Sequence, residues 1–472
     1  MPPNVALTIG VTFSLVLLVY DVRRRTGVSA AVWLPTTLLM IIASRSFAQW
    51  GADPLEMGPQ SGYQSSLVDV AFFFAVIVGS ATVVTARKIK WTRLFIGNIG
   101  ITLCYFYFGL SVLWSEDPIG SLKRWFKVFG LLAAVAVVLS EESPEEAIRA
   151  LHVRCASVLL PLSVVLNKYF PNLARAYSPS GELLLSGVAT QKNSLGQIAM
   201  ILILFLVWDI LETVSSSTKR HLPWDLVVLL FTGMYLLSAS ESKTSLVCVI
   251  VGAALLMRGK RLASAPVNSA VLLASLAMPC FMALTQAFSS FISPLTEMLG
   301  RDMTFTGRTP IWEAILAEGV VDPFFGAGYF NFWASTGAER VRAFVHAPGI
   351  HSAHNGYLDI FLDGGLIGVI LLFGLLLIQG RRLTKNVTAS RYQRLRLACL
   401  IVLIIYNLSE STFVRLVPLW FTGLLVMVDP AFIVRRPPAF QGRANAVTLT
   451  ASTRVAKYDA VGNGSVALGR PL

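Results

Sequence analysis

Charge is scarce in this sequence. Asp, Glu, Lys and Arg make up 14% of its 472 residues, against 55% hydrophobic ones. A soluble chain carries about a quarter charged residues, so a protein that works wholly in water is excluded, and a mean hydropathy of +0.66 points to lipid as the main solvent. Cysteine is sparse too. All five (Cys104, Cys155, Cys248, Cys280, Cys399) lie inside apolar runs with no CxxC pair. That argues against a disulfide framework or a thiolate metal site and leaves them as small core residues. The N-terminus lacks the pattern of a cleavable leader: MPPNVALTIG is uncharged, and Arg23, Arg24 and Arg25 follow the first apolar run instead of preceding it. The first helix is therefore expected to stay, with its N-terminus outside. Neither an internal repeat nor an inverted pair of half-chains stands out, which counts against a transporter.

What the chain has is a succession of apolar runs. One crossing takes roughly 20 apolar residues, and runs of about that kind occur at 4–20, 28–44, 67–86, 94–114, 124–140, 151–167, 193–211, 222–239, 244–257, 267–288, 357–379, 397–412 and 414–430. The expected fold class is all-α: a polytopic integral membrane protein of about 12 to 13 transmembrane helices. The net charge of +13 needs no nucleic acid. With the N-terminus outside, the cations gather in alternate loops, at Arg23 to Arg25, Arg87 to Arg93, Arg149, Lys219 and Arg220, Arg258 to Arg261, and Arg381 to Arg396, as the positive-inside rule requires. This divides the chain into residues 1–287 with ten helices, an outer loop at 288–356, three helices in 357–430, and an inner tail at 431–472, read as disordered from its Ala, Gly, Ser, Pro and Arg content.

A loop as long as 288–356 exceeds what a connector needs, so the chemistry is expected there. Thr309-Pro310 followed by IWEAILAEG reads as a short helix, capped by Thr309 and stopped by Gly319. It is expected to lie on the membrane surface, with Trp312 and Trp333 at headgroup depth. Arg308 precedes this helix. In HSAHNGYLDIF, Asn355 can cap the next span, with His354 just outside it. Helix N-termini and guanidinium forks both hold phosphate, and the bland alternative is that Arg308 pairs with a carboxylate such as Glu313 while His354 only caps. Asp359 and Asp363 share a helical face and either orient His354 or an arginine, or simply pair with cations. Lys243 in SASESKTS and Lys192 in TQKNSLG stand at the outer boundary, where snorkelling alone accounts for a lysine. His346, His351 and His354 could be read as a metal cluster, but the HxxH pair His351 and His354 lacks a third ligand at a familiar spacing and has no carboxylate beside it in the loop, so no metal is expected.

The run GRTPIWEAILAEGVVDPFFGAGYFNFW followed by HSAHNGYLDIFLDGGLIGV resembles the signature region of the O-antigen ligase and Wzy-type polymerase superfamily. LWSEDPIGSLKRW, QKNSLG and SESKTSL resemble its ExoQ-like, exopolysaccharide-production branch. The resemblance covers residues 113–368 in the expected order. It implies a metal-independent glycosyltransferase of the bacterial inner membrane, without cofactor, whose donor is an undecaprenyl-diphosphate-linked saccharide and whose large periplasmic loop carries the reaction. Residue by residue, the family's loop His falls on His354, its GR(T/S) arginine on Arg308 and its S(R/K)T cation on Lys243, here a Lys where many relatives have Arg. The family's Glu before the Gly falls on Asp363, a shorter arm. His354 and Arg308 are then the catalytic candidates. Lys243, Asn355, Asp363, Arg301 and Lys192 are the substrate-binding candidates. The implied partners are the lipid-linked donor, a saccharide acceptor, inner-membrane lipid, and a chain-length regulator and flippase of the same pathway. Polymerase, ligase and, from another class, a flippase of lipid-linked sugar remain the alternatives.

Overall fold

The computed structural model describes residues 1–51, 66–177, 181–216, 223–257, 269–270, 272–277, 308–318, 321–347 and 349–433. Arg301, most of the run at 267–288 and the expected tail from residue 434 onward lie outside them. The other twelve apolar runs each carry a helix. In chain order these are α1 (Pro3–Arg24), α2 (Trp33–Ile42), α3 (Leu67–Ala86), the bent pair α4 (Trp91–Gly97) and α5 (Ile99–Leu110), α6 (Pro118–Leu139), α7 (Pro144–Tyr169), α8 (Lys192–Ser216), α9 (Trp224–Ala239) and α10 (Lys243–Met257). Two loop helices follow, α11 (Thr309–Glu318) and α12 (Thr336–Val345), then α13 (Gly356–Asn386), α14 (Arg391–Tyr406) and α15 (Pro418–Met427).

The chain is an all-α, polytopic membrane protein. Among the described residues, five helices (α1, α3, α7, α8 and α13) are long and apolar enough to cross by themselves, α4 and the following helix together make a sixth bent candidate, and α2, α9, α10 and α15 are shorter apolar helices. Several apolar runs shorten because the backbone is interrupted inside them. At Asn98 the helix turns by 98°, with the Asn98 side chain donating to the Leu94 carbonyl at 2.8 Å and accepting from the Asp429 N–H at 3.1 Å. Pro418, with no N–H to donate, starts α15 instead of continuing the preceding run. A small antiparallel hairpin, Arg175–Tyr177 with Leu183–Leu185, was not legible in the sequence.

Helices α7 and α8 form the buried centre: α7 packs against α1, α2, α8 and α9, and α8 also against α10 and α14. Several cations that looked like orientation signals are spent inside this bundle. Arg25 is 4% exposed and binds Asp21 at 2.7 Å, together with Glu146 and Asp209. Burial alone would lower the Arg25 guanidinium, yet these carboxylates outweigh it and hold it above the usual arginine range. Arg396 donates to the carbonyls of Val426 and Val428.

The loop between α10 and α13, expected on the outer face, has a core of its own. Ile311, Trp312 and Ile315 of α11 pack with Phe332, Trp333, Ala338 and Val341. The two tryptophans are 2% and 4% exposed, so both rings are packed inside the protein. Their indole N–H groups are used internally: Trp312 donates to the Ala353 carbonyl at 2.7 Å and Trp333 to Asp359 Oδ1 at 2.7 Å.

Helix α13 is broken at Gly365, whose φ of 58° and ψ of −159° no side chain adopts comfortably. The backbone groups freed by the break are met by the loop before Tyr329. Leu366 N–H donates to Pro323 O at 2.9 Å, Ala327 N–H to Leu362 O at 2.8 Å and Gly328 N–H to Asp363 O at 3.0 Å. An interrupted helix inside an apolar protein survives only when such partners exist. The DPFFGAG and LDGGL segments are therefore two halves of one structure.

Candidate active site

Seven separate stretches of chain meet at one cavity of about 700 Å³, two of them contributing residues within 41–49 and Asp69 with Phe73. Arg124 and Lys127 enter from α6, Asn193 and Gln197 from α8, Tyr329 and Phe330 from the outer loop, His351 and His354 from the approach to α13, and Glu410 and Arg415 from the segment between α14 and α15.

His354 is placed by its backbone. It has a left-handed φ of 48°, uncommon for a non-glycine residue and the kind of strain that concentrates at functional positions. The preceding peptide is clamped on both sides, since Ala353 N–H donates to Asp359 Oδ1 at 3.1 Å and Ala353 O accepts from Trp312. Asp359 is thus a scaffold for the histidine loop. Asn355 caps α13 through its side-chain oxygen, which accepts from Tyr357 N–H and Leu358 N–H at 3.0 and 3.2 Å. Gly356 N–H donates to the carbonyls of Asn407 and Glu410; a Cβ there would sit 2.1 Å from Asn407 Oδ1. Only glycine allows that approach, which fastens the His354 loop to the turn carrying Glu410.

Glu410 is the hub that sequence reasoning missed. Its Oε1 accepts from Arg308 Nη2 at 2.7 Å and from Asn193 Nδ2 at 2.8 Å, while Oε2 lies 3.5 Å from His354 Nδ1. Arg308 therefore pairs with Glu410 and not with Glu313, and it is joined to the cavity wall through that carboxylate. The turn is held by Asn407, whose Oδ1 accepts from Thr412 N–H at 2.8 Å and whose Nδ2 donates to Leu403 O at 2.8 Å. A signal existed: Glu410 and Arg415 are ionisable residues between two strongly apolar runs, a pattern that by default marks function in membrane proteins.

The remaining candidates divide. The start of α10 reaches the Glu410 turn, since the Thr244 and Ser409 hydroxyls share a hydrogen bond of 2.6 Å, and so Lys243 arrives one residue away. Lys192 opens α8 beside Asn193, which supplies the contact to Glu410. Neither lysine side chain lines the cavity. Asp363 is 1% exposed and binds Arg415 at 2.6 Å. Burial alone would lower the Arg415 guanidinium, but Asp363 and Asp359 outweigh it and raise it. Asp363 thus reaches the cavity by way of Arg415.

Residues 226–373 match the family model of the O-antigen ligases. Over 292 residues the chain is 24% identical to the exopolysaccharide production protein ExoQ of Rhizobium meliloti (strain 1021). The chain resembles the O-antigen ligase and Wzy-type superfamily, in its ExoQ-like branch. The ExoQ alignment covers 59% of this chain and 65% of that protein, just under two thirds of the relative's length. No solved structure matches. The O-antigen ligase match includes Lys243, Arg308 and His354, whereas Arg124, Glu410 and Arg415 fall outside it and join the site only through the fold.

Proposed function

We propose that this protein is a membrane glycosyltransferase of polysaccharide biosynthesis, which polymerises saccharide repeat units carried on undecaprenyl diphosphate at the outer face of the bacterial inner membrane. The observation that carries this reading is the convergence of Arg308, Asn193 and His354 on Glu410 at the wall of a cavity of about 700 Å³. Glycosyl transfer asks for two things: an acceptor hydroxyl must lose a proton, and a lipid diphosphate must leave. A neutral imidazole near pH 7 suits the first. Arg308, with Lys243 beside its turn, suits the second by binding the phosphate oxygens as charge develops on them. Glu410 holds Arg308 until the diphosphate takes its place. Asn355 and Asp363 support the site through the cap and through Arg415. Lys192 and Arg301 remain proposed contacts for the lipid-linked substrate.

The chemistry requires the outer loop to face the periplasm, with the N-terminus on the same side and the C-terminus in the cytoplasm. A chain-length regulator and a flippase acting in the same pathway are the expected protein partners. Polymerase and ligase differ in what a deletion strain accumulates on the carrier. Single repeat units support polymerisation; full-length polymer on the carrier would instead identify a ligase that passes finished chains to lipid A-core or another acceptor. Extension of a saccharide by the purified protein in liposomes, with donor and acceptor supplied from outside, separates both from a flippase. In that assay His354→Ala should lose about a hundredfold or more of the rate. Arg308→Lys, which keeps the charge and loses the fork, should lose much of the rate as well.

A further inference from the structure

The cavity has a cationic wall that the donor clamp does not use. Arg124 and Lys127 lie one helical turn apart on α6, and Arg415 enters the same cavity from the segment before α15. Two of these guanidinium groups share one aromatic ring, with Arg415 Cζ 4.1 Å and Arg124 Cζ 5.5 Å from the centre of Phe330. Lys127 Nζ stands 5.1 Å from the ring of Phe73. Phe330 is held in a left-handed conformation, φ 50°, and Arg415 beside it is gripped by Asp363 at 2.6 Å.

Carboxylates do not saturate the wall's two guanidinium groups. Arg415 is 7% exposed, and its Nη1 has no hydrogen-bond partner among the described residues. The same is true of Arg124 Nε, and the one carboxylate on Arg124, Asp117 at 3.3 Å, is half-exposed to solvent. Lys127 adds a third positive charge beside Arg124 on the same wall. A buried guanidinium N–H left without an acceptor costs free energy, and an oxyanion delivered to the cavity would satisfy it. Around the cations the lining offers aromatic faces and side-chain amides (Tyr329, Gln49, Gln197), the surfaces that hold a sugar ring.

We propose that Arg124, Lys127 and Arg415 form a second oxyanion subsite, distinct from the Arg308 clamp, which receives an anionic group of the acceptor substrate. This rests on the glycosyltransferase reading: joining two carrier-linked saccharides brings a second diphosphate, or an acid group on its sugar, to the same cavity. Both sources present the same chemistry, a pair or trio of oxygens sharing negative charge, and a bidentate guanidinium suits it.

The test is binding, measured by titration calorimetry on the full-length protein in detergent, in an Arg308→Gln background so that the donor clamp does not contribute. The probes are inorganic pyrophosphate, tri-galacturonate as an acidic saccharide, and maltotriose as a neutral one. Adding Arg124→Gln and Lys127→Gln should weaken at least one acidic probe by about tenfold or more and leave maltotriose unchanged. Adding Arg124→Lys and Lys127→Arg should largely preserve binding. Weakening of pyrophosphate assigns the subsite to the carrier; weakening of tri-galacturonate alone assigns it to the sugar. If neither acidic probe responds, or if all three probes weaken together, the subsite is not there. Should the doubly neutralised protein fail to fold, Arg124→Gln alone, at a partly exposed position, gives the same reading with a ratio of about threefold. Transfer activity is scored separately, so acid binding without saccharide extension would leave the subsite standing and remove the glycosyltransferase reading.

Discussion

The Glu410 carboxylate accepts a hydrogen bond from Arg308 at 2.7 Å, across 102 residues of chain, with both side chains largely buried. A carboxylate in that position competes with any phosphate for the same guanidinium. It also stands 3.5 Å from His354 Nδ1, too far for a hydrogen bond but close enough to align the ring once Arg308 turns to a ligand.

Replacing Glu410 by Gln should therefore split the kinetic constants. The amide can still bind Asn193 but no longer holds Arg308 as an ion pair, so KM for the lipid-linked donor should stay level or fall. Alignment of His354 is lost, so kcat should drop by about tenfold or more. A purely structural role predicts a rise in KM and a lower melting temperature, which a steady-state assay beside a thermal scan would reveal.

Asn355 is seen as a cap, and its substitution should read out as stability. Asn355→Ala should cost about 1 kcal/mol, and Asn355→Ser or Asn355→Asp only a fraction of that. Retained donor KM in Asn355→Ser would favour the capping role. A large rise in KM there would restore direct substrate contact.

The break in α13 gives a paired test. At Gly365 an added Cβ would come within 2.3 Å of Phe324 backbone atoms, on top of about 1–2 kcal/mol for the left-handed conformation. Gly365→Ala should therefore unfold at a clearly lower temperature than wild type. Gly374→Ala, on the same helix with nothing within 4 Å, should match wild type or exceed it.

Sidedness is checked by thiol labelling in a background lacking the five natural cysteines. Ser335 is only 4% exposed, so the neighbouring exposed Ala334 is the better reporter for the outer loop and Thr388 for the opposite side. A membrane-impermeant reagent should label Ala334→Cys in intact spheroplasts and Thr388→Cys only after lysis. The reverse pattern would overturn a periplasmic site.

Local chemistry made much of this protein readable in advance. The helices came from apolar runs, the bounds of α11 from Thr309-Pro310, and the start of α13 from Asn355, because each depends on neighbours a few residues away. His354 and Arg308 are proposed from the family pattern their loop resembles, and the structure brings both to Glu410. Where Arg308 turns was not legible: Glu313 was the local candidate, and Glu410 wins because Gly356 and Asn407 bring its turn against the His354 loop. The same holds for Trp312 and Trp333, which fold inward because Ala353 O and Asp359 offer their indoles partners away from water. Hydropathy records the solvent each residue prefers, and capping motifs record local bonds. Which distant charge satisfies a buried one is decided only when the helices pack, because in a low-dielectric interior each ion must find a partner wherever the fold places it.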